Sequence, residues 1–374
     1  MKSNNLNHKT YTNKEIKNGK KLDKDQLKFA ENYNEENDDE LNGLYSHYNI
    51  VKKNINANYR NLPEYKEYRK LWRNTAISHI KTEFPLHLDI EITSYCNLAC
   101  PMCPRTHRVA LGKWHNKMMK FGTFKKIIDE GAEKGLRAIN LNNFGESFFN
   151  KKLVEMIEYA KSKGVLDVML HTNGTVMNET LAKRIVNSGL DRIIFSLDSI
   201  TKEIYEKIRI GAKFEDTIKN VKMFYKIREK MCKYKPVIRV SMVRMKENDH
   251  EANKFEKFWG PYADEVTYTD YRNQDGLDKT DRYTKLRKEN KSYSCPALWQ
   301  RMTINATGEV TACCRDAGKR LTLGKYDETE KSLTDIWNGD KLKESRLLHE
   351  NKQAYLIDAC NGCDHIRGHI IPKK

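Results

Sequence analysis

The sequence lacks any long apolar run. No stretch approaches the roughly 18 consecutive apolar residues that a membrane-spanning helix needs, and residues 1–21 contain no hydrophobic segment of the kind found in secretory signal peptides. We therefore expect a cytoplasmic protein without a membrane partner. In that reducing compartment the nine cysteines are expected to bind metal or to take part in catalysis rather than to form disulfides.

The chain also lacks an arginine-rich stripe, although it is basic overall. Its 374 residues include 68 Lys and Arg against 51 Asp and Glu, which gives a formal net charge of +17. Such a charge can attract nucleic acid or anionic surfaces. Because lysine is spread over the whole sequence, we interpret the excess as a matter of composition and expect no nucleic-acid partner.

Composition and periodicity divide the chain into four regions. Residues 1–62 are polar and poor in aliphatic side chains, which predicts a mobile region with one marginal helix near residues 24–32. Apolar side chains at helical spacing predict a lead-in helix within residues 63–84. Residues 85–275 alternate strand and helix patterns. Residues 276–374 form a second unit with a predicted hairpin over 302–305 and 309–312.

The alternating region contains six predicted strands, at residues 86–93, 137–141, 167–171, 192–197, 237–245 and 265–269. Helical patterns lie between them, including one long stretch over 201–233. Strands separated by helices form parallel sheets with right-handed crossovers. The predicted fold is therefore α/β, a partial (β/α)6 TIM-like barrel followed by a small C-terminal domain. In such barrels the functional side chains lie at the carboxyl ends of the strands.

Three cysteines with Cys-x3-Cys-x2-Cys spacing, Cys96, Cys100 and Cys103, follow the first predicted strand. Thiolates hold iron–sulfur clusters, usually four per cluster, so three cysteines leave one iron open to a substrate or cofactor. The alternative is a zinc site in which His107 supplies the fourth ligand. Zinc sites more often combine a Cys-x2-Cys pair with a second pair or with two histidines.

A second group of cysteines lies in the C-terminal region, at Cys295, Cys313, Cys360 and Cys363. Four thiolates can complete an all-cysteine metal site, either an iron–sulfur cluster or a zinc ribbon. Cys314 adjoins Cys313, so either of these two can be the ligand.

The first motif resembles the signature of the radical S-adenosylmethionine (radical SAM) superfamily. The resemblance implies a [4Fe–4S] cluster whose open iron binds S-adenosyl-L-methionine and cleaves it to a 5′-deoxyadenosyl radical. Gly145 and Glu146, after the second strand, resemble the family's Gly-Glu-Pro motif, with Ser147 in place of proline. The resemblance implies that they hold the cofactor's amino group, and that Ser196 and Arg209 contact its ribose and carboxylate.

The C-terminal cysteines are similar to those of the SPASM and twitch domains, which bind auxiliary iron–sulfur clusters. Gly308 and Cys313 match the Gly-x4-Cys element of these domains, and no cysteine follows Cys363. The layout resembles the form with one auxiliary [4Fe–4S] cluster, as in aminocyclitol radical dehydrogenases. With four cysteine ligands, such a cluster is expected to transfer electrons rather than to bind substrate.

These resemblances imply a radical SAM oxidoreductase that oxidises a sugar- or cyclitol-like secondary alcohol and receives electrons from a flavodoxin- or ferredoxin-type donor. The alternatives are a radical SAM maturase of a ribosomal peptide or protein, an RNA-modifying radical SAM enzyme and a non-enzymatic zinc-binding protein. Arg244, Tyr268 and Asp270 lie near the ends of strands five and six. Position alone makes them candidates for substrate contact or proton removal.

Overall fold

The computed structural model describes residues 49–53, 58–273, 278, 280, 294–327, 329–361 and 363. The helix predicted near residues 24–32 lies outside the described residues. Among the helices that are described, none is both long enough and apolar enough to cross a membrane.

The described chain forms one sheet of ten strands: β1 (Asn49–Lys53), β2 (His87–Ile90), β3 (Ala138–Asn140), β4 (Asp167–Thr172), β5 (Arg192–Ser196), β6 (Val237–Arg244), β7 (Glu265–Asp270), β8 (Arg301–Ile304), β9 (Glu309–Thr311) and β10 (Thr322–Lys325). Their order in the sheet is β1-β7-β6-β5-β4-β3-β2-β8-β9-β10. Neighbours from β7 to β2 are parallel, and so are β2 and β8. The pairs at the two ends of the sheet, β1 with β7 and β8-β9-β10, are antiparallel.

The described α-helices are α1 (Pro63–Ser78), α2 (Pro104–Ala110), α3 (Phe121–Glu133), α4 (Leu153–Ser162), α5 (Glu179–Asn187), α6 (Lys202–Ile208), α7 (Phe214–Lys230), α8 (Ala252–Trp259), α9 (Ala297–Gln300), α10 (Leu333–Trp337) and α11 (Asp340–Glu350). At least one helix separates each strand from the next between β2 and β7. The predicted partial (β/α)6 barrel is therefore confirmed.

The helical stretch predicted over residues 201–233 is interrupted and forms α6 and α7. Gly211 lies between them with φ of 99°, a left-handed conformation that glycine adopts without a steric cost. A Cβ atom at Gly211 would lie 3.1 Å from the carbonyl oxygen of Asn97. The break thus lets the chain approach the loop that follows β2.

The strand β2 is buried on both faces. Leu88, Ile90 and the following Ile92 belong to the main hydrophobic core together with Phe124 and Ile127 of α3. Each such side chain contributes about 1.5–3 kcal/mol by leaving water. The residues that alternate with them, 87, 89 and 91, are polar and also buried. Because side chains alternate along a strand, these polar residues face the interior of the barrel.

The lead-in helix α1 covers the amino ends of the barrel strands. Its Tyr65, Tyr68 and Trp72 pack with Leu86, next to β2, and with Val237, the first residue of β6. The lead-in helix therefore closes one end of the barrel, opposite to the carboxyl ends of the strands.

The predicted hairpin of the C-terminal region is present as β8 and β9, and it continues the barrel sheet. In the parallel pairing of β8 with β2, His87 lies opposite Arg301. The buried Glu91 carboxylate accepts hydrogen bonds from the backbone N–H groups of Phe144 and Ala306, both at 3.3 Å. It thus joins a barrel loop to the hairpin, and burial raises the pKa of Glu91 to about 7.

Candidate active site

The loop between β2 and α2 carries Cys96, Cys100 and Cys103. Cys100 is buried and the other two are half-buried. The N–H of Cys103 donates to the carbonyl of Cys100 at 3.0 Å, and the N–H of Leu98 donates to the sulfur of Cys96 at 3.5 Å. Burial raises the pKa of all three thiols, that of Cys100 to about 12.

The cysteine loop is fixed by two side chains that the sequence analysis did not assign. The guanidinium of Arg105 donates to the carbonyl oxygens of Ser94 at 3.1 Å and Leu98 at 3.3 Å. The indole N–H of Trp114 donates to the same Ser94 oxygen at 3.1 Å. The only sequence signal for Arg105 was its place directly after the third cysteine and a proline.

Gly145 and Glu146 lie against the strand that leads into the cysteine loop. A Cβ atom at Gly145 would lie 1.9 Å from the carbonyl oxygen of Thr93, so no larger residue fits without movement of the backbone. The N–H of Glu146 donates to the carbonyl of Tyr95 at 2.8 Å. The hydroxyl of Ser147, which stands in the proline position, donates to Leu141 at 2.6 Å.

The Glu146 carboxylate is buried at the wall of the site. It accepts from the hydroxyl of Thr172 at 2.9 Å and from the N–H groups of Asn173 at 2.7 Å and Phe148 at 3.4 Å. Burial raises the pKa of Glu146 to about 7, although these hydrogen bonds act in the opposite direction. The side-chain amide of Asn173 in turn contacts the sulfur of Cys96 at 3.9 Å.

Arg209 also lines the site and is only 9% exposed. Its guanidinium pairs with Asp198 at 2.6 Å and donates to the sulfur of Cys100 at 3.8 Å. Its Nε atom has no hydrogen-bond partner among the described residues. Asp198 adopts a left-handed φ of 63° and accepts from the N–H of Val243 at 2.8 Å. A buried, oriented guanidinium with a spare donor suits a carboxylate ligand.

One cavity of about 1140 Å³ connects these groups. Its wall includes the three cysteines of the loop together with the four predicted cofactor residues, Gly145, Glu146, Ser196 and Arg209. From there the cavity extends through the barrel interior to the side chains of α1. The structure therefore brings all of these predicted residues to one site.

The barrel interior adds a polar network that the sequence analysis missed. Asp89 is buried and accepts from Asn140 at 3.1 Å. It also lies 3.3 Å from a ring nitrogen of His87 and 3.4 Å from the guanidinium of Arg301. All four side chains line the cavity, as does His171. The sequence signal that could have indicated this network is the polar residue at every second position of the buried strand β2.

Arg244, Tyr268 and Asp270 are not among the described residues that line the cavity. Arg244 pairs with Asp270 at 2.6 Å, and the hydroxyl of Tyr268 donates to the carbonyl of Ala252 at 2.7 Å. Position at the end of a strand did not indicate which way these side chains point, and their roles stay sequence predictions.

The C-terminal cysteines also come together. Cys295 is buried with Cys360 and Cys363 in one small cluster, and its N–H donates to Nδ1 of His349 at 3.0 Å. Burial raises the pKa of Cys295 to about 12, and the neighbouring Cys363 adds to this shift. The Cys313 thiol interacts electrostatically with both Cys295 and Cys363.

Cys313 and Cys314 differ in position although they are adjacent. Cys314 lines the barrel cavity and Cys313 does not. The neighbouring Cys313 thiol lowers the pKa of Cys314, while burial and the charge of Asp89 oppose this shift. Both Cys313 and Cys314 interact electrostatically with Cys295, so the choice of Cys313 as the ligand stays a sequence prediction.

Two family models match this chain. The radical SAM superfamily matches residues 90–258, and an iron–sulfur cluster-binding domain, SPASM, matches residues 295–364. The chain is a radical SAM enzyme with a SPASM domain. The two matched segments contain the two groups of cysteines described above, and the match favours iron–sulfur clusters over zinc at both.

Relatives of this radical SAM enzyme differ in how much of it they cover. A probable GTP 3′,8-cyclase of Methanococcus maripaludis is 34% identical over 132 residues, 35% of this chain. The chain spans only 43% of the length of that relative. A tungsten-containing aldehyde ferredoxin oxidoreductase cofactor-modifying protein of Pyrococcus furiosus is 26% identical over 320 residues. That alignment covers 74% of this chain and 86% of the relative.

Solved radical SAM structures share the fold. BtrN in complex with AdoMet and 2-DOIA has a TM-score of 0.51 at 16% identity and covers 78% of this chain and 97% of its own. SuiB of Streptococcus suis bound to the precursor peptide SuiA has a TM-score of 0.58 at 16% identity and covers 94% and 82%. At this identity the likeness concerns the fold alone.

The radical SAM and SPASM domains imply a [4Fe–4S] cluster, auxiliary cluster binding and S-adenosylmethionine, and the side chains fit these groups. The three thiols of the cysteine loop line one cavity. The Nε–H group of Arg209, which has no partner among the described residues, can donate a hydrogen bond to the carboxylate of S-adenosylmethionine. No three His, Cys, Asp or Glu side chains in the described parts stand close enough to hold a single metal ion. A cluster instead bonds each thiolate to a different iron, and so suits thiols that stand further apart.

Proposed function

We propose that this radical SAM enzyme oxidises a sugar- or cyclitol-like secondary alcohol to a ketone. The observation that supports this proposal is the common cavity, whose wall carries both the cysteine loop and Cys314, next to Cys313. A substrate in the barrel interior would lie between the site of hydrogen abstraction and an electron acceptor. The oxidation then balances as one hydrogen atom from the carbinol carbon, one proton from the hydroxyl and one electron.

The residues of the chain would hold the cofactors as follows. Cys96, Cys100 and Cys103 would hold the first cluster, with Gly145, Glu146, Ser196 and Arg209 around S-adenosylmethionine. Cys295, Cys313, Cys360 and Cys363 would hold one auxiliary cluster. When bound, these groups supply a hydrogen-abstracting radical and a one-electron acceptor. A flavodoxin- or ferredoxin-type protein is the electron donor in this proposal.

The barrel interior would orient the alcohol. Asp89 and Asn140 offer oxygen atoms to substrate hydroxyl groups, and Arg301 offers N–H donors. Burial and the charges of Arg239 and Arg192 lower the pKa of His171 to about 4, so its ring is neutral near pH 7. A ring nitrogen of His171 can then accept the hydrogen bond of the reacting hydroxyl, which gives its proton a path away from the carbon.

The experiment is anaerobic purification and reconstitution, followed by iron and sulfide analysis and detection of 5′-deoxyadenosine with S-adenosylmethionine and dithionite. About eight irons per chain and 5′-deoxyadenosine are expected. A panel of cyclitols and sugars, assayed for ketone products, then identifies the substrate class. Replacement of the three loop cysteines by alanine removes about four irons and the 5′-deoxyadenosine. Replacement of the exposed Cys232 by serine changes neither. About four irons in the wild type would remove the electron acceptor and contradict the oxidation.

Maturation of a peptide is the second candidate. It is favoured by the fold likeness to SuiB bound to SuiA, which covers 94% of this chain, and modification of a cofactor is favoured by the name of the Pyrococcus furiosus relative. Both predict eight irons as well. A mass change in a co-expressed small peptide, with no ketone formed from the alcohol panel, would favour maturation over alcohol oxidation.

A further inference from the structure

Arg301 stands at the boundary between the barrel interior and the SPASM domain. It is the first residue of β8, lies opposite His87 of β2 and lines the cavity. Its guanidinium lies 3.4 Å from the Asp89 carboxylate and 5.1 Å from the centre of the Trp72 ring. Arg301 is thus held by two barrel residues, although it belongs to the C-terminal unit.

The strand register brings the same residue toward the C-terminal cysteines. β9 pairs antiparallel with β8 and ends at Thr311, two residues before Cys313. Thr303 of β8 lies opposite Thr311, so continuation of this register leads from position 301 to position 313. Arg301, Asp89 and Cys314 also line one cavity. One positive and one negative side chain therefore lie near this edge of the cysteine cluster.

We propose that Arg301 is a positioning residue that raises the reduction potential of the auxiliary cluster held through Cys313, and that Asp89 lowers this potential. The inference rests on the proposed function, in which this cluster accepts an electron from the substrate. Reduction adds one negative charge to the cluster, so a nearby cation stabilises the reduced form and a nearby anion destabilises it. Both side chains are mostly buried, where salt screens their charges poorly. Groups around the ligands are a recognised means of tuning a metal site.

A purely structural role for the pair predicts a different pattern. Asp89 keeps contacts with His87 and Asn140 when Arg301 is replaced. Loss of either partner would loosen the same junction and would change the cluster in the same direction. The electrostatic role instead predicts changes of opposite sign for Arg301 and Asp89, which separates the two explanations.

The test is a redox titration of the full chain with both clusters, followed by electron paramagnetic resonance under anaerobic conditions. Added S-adenosylmethionine changes the signal of the first cluster and so distinguishes it from the auxiliary one. R301Q is expected to make reduction of the auxiliary cluster about tenfold less favourable, a shift of about 59 mV to lower potential for one electron. R301K keeps the charge and is expected to stay within about threefold of the wild type, and D89N is expected to shift the potential upward. R184Q is the matched control, because Arg184 is half exposed on α5 and pairs only loosely with Glu155 at 3.7 Å.

An unchanged potential in R301Q with full iron content would overturn the inference. A downward shift in D89N would do the same, since it would indicate a loosened junction rather than a charge effect. If R301Q does not fold or loses iron, the sign of the shift in D89N still decides. A wild type with only four irons would instead contradict the proposed function itself. The iron content of the wild type is therefore measured before any variant is titrated.

Discussion

Replacement of Gly145 by alanine tests whether the close approach of two loops positions the cofactor. The new Cβ would lie 1.9 Å from the carbonyl oxygen of Thr93 and 2.7 Å from its carbon, whereas real Cβ contacts are not shorter than 3.0 Å. One of the two backbones must therefore move by about 1 Å. Thr93 lies three residues before Cys96, and Glu146 follows directly after the substitution. The movement would consequently displace the cysteine loop from the Glu146 carboxylate, which is predicted to hold the amino group of the cofactor.

Two effects of known size follow from this displacement. Forcing an extra methyl group into a packed interior costs about 1–3 kcal/mol, so the free energy of unfolding of Gly145→Ala should fall by that amount. A displacement of about 1 Å at a catalytic site can cost about a hundredfold in rate, so 5′-deoxyadenosine formation should fall by about that factor. Iron content is measured alongside, because partial loss of the cluster would lower the rate for a different reason.

Gly122 provides the matched control. It lies in the first turn of α3, and a Cβ atom there would meet no other atom within 4 Å. Alanine favours helix over glycine by up to about 1 kcal/mol, so Gly122→Ala should be neutral or slightly more stable in urea unfolding, with an unchanged rate of 5′-deoxyadenosine formation. If Gly145→Ala behaved like Gly122→Ala in both assays, the close approach would not position the cofactor and our reasoning would be refuted.

Three further predictions concern the cysteines, the cofactor carboxylate and pH. C313S should lose about four irons while C314S keeps about eight; the reverse result in iron analysis would exchange their roles. R209K keeps the charge but loses the planar fork, so binding of S-adenosylmethionine measured by equilibrium dialysis should weaken about tenfold with iron content unchanged; equal affinities would contradict a role in binding the carboxylate. The pKa of Glu91 is raised to about 7, so between about pH 4.5 and 7 the folded chain keeps a proton that the unfolded chain has lost, and the contribution of Glu91 to stability falls as pH rises. Glutamine does not titrate, so the stability of E91Q relative to the wild type, measured by urea unfolding, should increase from pH 5 to pH 8. If the difference in stability between E91Q and the wild type were equal at both pH values, the raised pKa of Glu91 would be contradicted.

Side chains that are close in sequence could be assigned before the structure was known. The spacing of Cys96, Cys100 and Cys103 indicated a metal-binding loop because three thiols within eight residues share one loop in any fold. Alternation of strand and helix patterns indicated the parallel barrel, and Gly145 followed a strand at the position where the motif is expected. These inferences need only local periodicity and the rule that the carboxyl ends of parallel strands lie at the same edge of a sheet.

Other features depend on contacts between distant segments, and local patterns do not contain them. Arg301 reaches Asp89 only because β8 pairs with β2 across more than two hundred residues. The alternation along β2 shows that residues 87 and 89 share a face, but only the curvature of the sheet makes that face the inside of a partial barrel. The same curvature makes His171 and Cys314 part of the cavity wall. The sequence by itself therefore determined which chemical groups the enzyme carries, and the tertiary structure decided which of them meet, since strand register and sheet curvature arise from packing over the whole chain.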